Sequence, residues 1–190
     1  MYVVDHGMLE RQLIEHCAPT LAGMKSASLF SYFYQGESFV RREIDEINQL
    51  LEKKGVRIEV LRWNGTSALL YVYRETLLAR ELRQPEAWKL LKRYGYCEQR
   101  TDYCLEQLKE RLADCSCFPH EIGIFLGYPV EDVWGFIVNG GKNCKSCGMW
   151  KVYCNQGEKD RLFRKYNKCR DVYRHVFYEG RRLLQMTVCT

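Results

Sequence analysis

At 190 residues, with 46% apolar and 28% charged side chains, the chain has ordinary globular usage, which excludes intrinsic disorder and leaves enough length for a core without staples. No apolar run approaches the roughly 20 residues that cross a bilayer, and the opening residues are polar and acidic, so neither membrane insertion nor a secretory signal is expected. The net charge of +5 is uneven: residues 151–190 hold ten Lys or Arg against four Asp or Glu, and the remainder nineteen against twenty.

The pattern begins with a helix over residues 7–16, where Leu9 and Leu13 lie one turn apart, and Pro19 ends or redirects it. Ser28 to Tyr34 is rich in aromatic and β-compatible residues and predicts a strand. Residues 37–54 form the clearest amphipathic helix, with Val40, Ile44, Ile47 and Leu51 on one face and Gly55 as its cap. Val56, Ile58 and Val60 alternate with Arg57 and Glu59, a half-buried strand. Asn64-Gly65 then predicts a hairpin with positive φ at both central residues, and Ala68 to Tyr73 returns as a strand buried on both faces.

Beyond Arg74 the pattern turns helical, over about 75–82, 85–94 and 100–113, followed by two short helices around Gly127-Tyr128-Pro129. Met149 to Tyr153 predicts a late strand. Residues 157–179 form a long helix stopped by Gly180. No repeat or linker interrupts the chain, so a single α+β domain is expected over 1–190, a small sheet packed by several helices.

Four stretches carry candidate chemistry. In His16-Cys17-Ala18-Pro19-Thr20, a thiolate at a helix edge would be a nucleophile, with His120 far downstream as base and Asp132 or Glu121 orienting the imidazole. The plainer account makes Cys17 a small buried hydrophobe. The second stretch, Phe118 to Val133, overlays a helix-turn-helix, with Gly123, Gly127, Ile122, Leu126, Val133 and Phe136 where that motif wants them. Its would-be recognition helix, however, offers two acids and no base at 130–138, so a helix corner packed in the core is the better account and nucleic acid is disfavoured there.

The third is a cysteine set. Cys115-x-Cys117 and Cys144-x-x-Cys147 have chelating spacings, and four thiolates suit zinc or an iron–sulfur cluster; free thiols are the alternative. In the fourth, Trp150 and Tyr153 flank Lys151, a set suited to a planar or anionic ligand or to plain strand packing. Ten cysteines without an export signal point to reduced thiols and a cytoplasmic location. The basic helix 157–179 offers a face for an anionic ligand, a nucleic acid or a protein partner, or is simply solvated.

Three of these stretches, His16 to Gly23, Phe118 to Pro129 with Glu131-Asp132-Val133, and Gly148 to Tyr153, together with Cys169-Arg170, resemble DUF3793, a domain-of-unknown-function family of clostridial and related anaerobic bacteria. The resemblance implies a small cytoplasmic protein of anaerobes with a link to iron or redox physiology. It supplies no catalytic residues. The expected function is therefore a small-ligand or cofactor-binding accessory protein, its ligand among His16, Thr20, Glu121, Trp150, Lys151 and Tyr153. The alternatives are a cysteine-dependent hydrolase using Cys17 and His120, and nucleic-acid binding through the basic helix.

Overall fold

The computed structural model describes residues 7–34, 36–114 and 118–189. Among these the fold is α+β, as expected. In chain order the elements are α1 (Met8–Leu21), β1 (Ala27–Phe33), α2 (Glu37–Leu51), β2 (Val56–Asn64), β3 (Ser67–Arg74), α3 (Glu75–Arg83), α4 (Pro85–Lys92), α5 (Thr101–Asp114), α6 (Ile122–Phe125), α7 (Val130–Val138), β4 (Ser146–Cys147), β5 (Lys151–Val152), α8 (Gln156–Tyr178) and α9 (Leu183–Met186). They pack as two compact units. One comprises the residues up to Thr76 with those from Tyr166 onward; the other is Leu77–Lys165. No helix among the described residues is long and apolar enough to cross a membrane.

The first unit is an antiparallel sheet in the order β1-β3-β2, covered by helices. β3 is central, which is why its apolar run is continuous. The four residues singled out by spacing in α2, Val40, Ile44, Ile47 and Leu51, are its buried ones. They meet Ile58, Leu70 and Val72 of the sheet in one core with Leu9, Leu13 and Leu21 of α1. Asn48 fixes α2 to the edge strand: its side-chain amide donates to the Ile58 carbonyl at 2.9 Å, and its oxygen accepts the Ile58 amide at 2.8 Å.

Two local expectations need correcting. The hairpin forms, but Asn64 pairs with Ser67, so the loop is Gly65-Thr66 and only Gly65, at φ 62°, is left-handed. Helix α1 also continues through Pro19 to Leu21. Pro19 merely withholds the amide that would bond the Glu15 carbonyl. Its own carbonyl then accepts the amides of Met24 at 2.8 Å and Lys25 at 3.2 Å, and this turn ends the helix.

The second unit is mainly helical. Its buried residues include Leu90 and Leu91 of α4, Leu105, Leu108 and Leu112 of α5, and the whole of α6. The expected late strand shrinks to the two residues of β5, paired with β4 in a register of Ser146 with Val152 and Cys147 with Lys151. Helix α8 runs one residue ahead of the expected range, its residues from Tyr166 onward counting with the first unit, and Gly180 at φ 99° lies just beyond it.

In the first unit, fully buried Arg74 donates to the carbonyls of Thr20 and Leu21 at the end of α1, of Lys54 at 3.2 Å and of Val188 at 2.9 Å. One guanidinium thus ties three chain segments. Arg74→Met keeps the apolar stem but removes every hydrogen bond by which the guanidinium ties these segments together. Urea unfolding followed by circular dichroism should show a loss of about 3 kcal/mol; an unchanged midpoint would contradict this role.

Candidate functional site

The site lies wholly in the second unit and begins with a tight crossing of α6 and α7. Gly127, at φ 67°, reverses the chain, and the Tyr128 amide donates back to the Gly123 carbonyl at 2.9 Å. A Cβ on Gly123 would sit 2.7 Å from Val133 Cγ2, so only glycine lets the helices approach this closely. Gly135 plays the same part against Tyr153, and Gly148 against Phe163.

Asp132 joins this corner to the β4–β5 hairpin. It is 1% exposed. Its Oδ2 accepts the Trp150 indole N–H at 2.8 Å, and its Oδ1 accepts the amides of Tyr153 at 2.8 Å and Cys154 at 3.1 Å. A buried carboxylate without partners would be very costly; three donors offset that cost and fix its position. The Trp150 ring stacks on Tyr128, centroids 4.7 Å apart, and meets Phe163 edge-on at 4.5 Å.

Between the helix corner and the hairpin lies a cavity of about 370 Å³. Its walls include Phe118, Leu126, Tyr128, Phe136, Met149 and Trp150. His120 and Cys147 are exposed at its rim, and Lys151 is half-buried there. The His120 ring meets Phe136 at 5.0 Å and 66°. Lys151 Nζ donates to the Gly141 carbonyl at 2.6 Å and lies 5.8 Å from the Phe136 ring centre. Cys147 is the cross-strand partner of Lys151.

A model of the family described as "Protein of unknown function (DUF3793)" matches residues 13–187. The chain belongs to the DUF3793 family. No curated protein and no solved structure matches it.

Of the residues proposed for the site of this DUF3793 protein, His120, Asp132, Cys147, Trp150 and Lys151 line the cavity. Others serve elsewhere. Cys17 belongs to the other unit, fully buried in its core, and burial pushes its thiol up to about 12. Such a thiol supplies no thiolate at neutral pH, so Cys17 is corrected to a core residue. Asp132 does not orient an imidazole, because its oxygens serve Trp150 and two backbone amides. Glu121 is fully buried and paired with Arg111 through Oε1. Tyr153 is buried against Gly135, behind the cavity rather than on it.

His16 and Thr20 also lie in the first unit. His16 stacks on Phe30 at 4.9 Å, and burial lowers its pKa, helped by Arg170 and opposed by Glu15. Thr20 is buried, its hydroxyl 2.8 Å from that of Ser28. Of the proposed metal ligands, Cys115 and Cys117 lie outside the described residues, while Cys144 is half-buried. Among the described residues no group of three or more His, Cys, Asp or Glu could hold a metal ion. In the basic helix, Lys159 is buried and paired with Glu131 at 3.4 Å, and Arg174 with Glu15 at 3.0 Å; Arg161, Arg164, Lys165 and Lys168 are exposed.

Sequence reasoning missed Tyr128, Phe136 and Met149 as cavity walls. The signal was the helix-turn-helix overlay, whose Phe136 was read as core although the Gly-Tyr-Pro turn leaves it on the cavity side. The glycines give the sharpest test. Helix propensity alone predicts that Gly135→Ala stabilises by up to about 1 kcal/mol. The structure puts the new Cβ 2.5 Å from Tyr153 Cγ, and overpacking of that kind costs roughly 2 kcal/mol. Urea unfolding should therefore show a destabilised variant, and a stabilised one would contradict the packing.

Proposed function

We propose that this protein is a cytoplasmic binding protein whose ligand is a small ring-bearing molecule held in the cavity of the second unit. The observation that carries the reading is convergence. Segments around residues 118–136 and 147–151 close on one apolar hollow, and glycines at 123, 135 and 148 are needed for the closure. A volume of about 370 Å³ falls at the lower end of the range for small-molecule pockets. Flat aromatic walls favour a flat guest through stacking and edge contacts. The cysteines among the described residues are free, which supports a reducing compartment.

Binding is favoured over hydrolysis by the state of two of the proposed triad's members. Cys17 is buried in the other unit, and the Asp132 carboxylate is engaged by structural donors.

The test uses a neutral polarity-sensitive dye, N-phenylnaphthylamine, followed by its fluorescence. It should bind with a single site per chain. Cys147→Trp, which fills the rim from an exposed strand position, should weaken it at least about fivefold. Trp134→Ala, an exposed indole that does not line the cavity, should leave binding unchanged. No binding, or binding indifferent to Cys147→Trp, would overturn the reading.

A further inference from the structure

We infer that the ligand of this cavity is a ring-bearing anion, such as an aromatic carboxylate or sulfonate, whose acidic group is received at the rim by Lys151 and His120. The inference rests on the pocket reading above and names the ligand's chemical class.

The charge distribution around the cavity is one-sided. Among the described residues its lining contains a single carboxylate, Asp132, which is 1% exposed and already accepts three hydrogen bonds. The rim carries an ammonium, Lys151, and an imidazole, His120. Among the described residues neither pairs with a carboxylate. Lys151 has one hydrogen-bond partner there, the Gly141 carbonyl at 2.6 Å. An ammonium has three donors, so two remain for a ligand.

The local structure holds that cation in place without neutralising it. Gly141 lies at φ 73°, a left-handed conformation that brings its carbonyl to Nζ, and a Cβ there would press within 3.1 Å of the Phe136 ring. The Lys151 stem is fixed by β5, whose next residue, Val152, is fully buried. A preset cation at the rim of an apolar, aromatic hollow complements a molecule with a flat hydrophobic body and one anionic end. Neutralising the ammonium by a ligand acid forms a charge-assisted hydrogen bond, stronger than a neutral one. A dication or a polyanion fits less well: the first meets Lys151, and the second has only this small rim to meet its charge.

The test compares N-phenylnaphthylamine with anilinonaphthalenesulfonate, the same ring system bearing one sulfonate. Lys151→Gln should weaken the sulfonate about tenfold and the neutral dye less than about twofold. Lys151→Arg, which keeps the charge, should retain most of the sulfonate affinity. His120→Gln should weaken the sulfonate by a smaller factor. Added salt should loosen the sulfonate and spare the neutral dye. Cavity binding of the neutral dye, together with sulfonate binding indifferent to Lys151→Gln, would overturn the anion inference while leaving the pocket reading intact. Failure of both dyes to bind would overturn the two together.

Discussion

Three donors on one buried carboxylate hold the second unit's cavity open. Asp132 sits on α7, and its partners come 18, 21 and 22 residues later, from Trp150, Tyr153 and Cys154. None of these contacts is local, yet together they set where the hairpin lies against the helix corner. Gly135 lies one turn along the same helix face. It leaves room for the Tyr153 ring, whose amide Asp132 holds. Phe136 follows, with its ring on the cavity and beneath the Lys151 ammonium. The positions 132, 135 and 136 thus act as one device: an anchor, a clearance and a wall.

That device explains why an acid on a would-be recognition helix is no obstacle to the fold. Asp132 faces the protein, not a phosphate backbone. It also bears on the alternative in which Asp132 orients an imidazole. The carboxylate is turned to an indole and two amides of the hairpin, and His120 rests edge-on against Phe136 instead of on Asp132. The aromatic walls are fixed by mutual stacking, Trp150 on Tyr128 and against Phe163. A ligand entering such a preformed hollow loses less to ordering of the protein than one entering a loose surface.

The first unit was largely legible in the sequence because its signals are periodic and local. The apolar spacing of α2, the alternation in β2 and the continuous run of β3 each follow from a single element's geometry. Cys17 lent itself to two readings, nucleophile and buried hydrophobe, for an equally local reason. With α1 stopped at residue 16, Cys17 looked like a helix-edge thiol. Continued to Leu21, the helix places Leu9, Leu13, Cys17 and Leu21 at successive spacings of four, one buried stripe. The proline disguised a core position. The candidate site was legible only in part. Trp150, Lys151 and His120 stood out as residue types, but Asp132's partners, the Arg111 pairing of Glu121 and the clearance at Gly135 depend on tertiary approach, which no periodicity encodes.

The account stands or falls on Trp150, one of four tryptophans in the chain. Its indole N–H is tied to Asp132 and its ring forms part of the cavity wall. A titration of uniformly nitrogen-labelled protein with N-phenylnaphthylamine, read at the indole N–H resonances, tests both at once. The account predicts that the Trp150 signal moves on adding dye, while those of Trp63, Trp88 and Trp134 stay in place. A Trp150 resonance that ignores the dye while exposed Trp134 responds would contradict it.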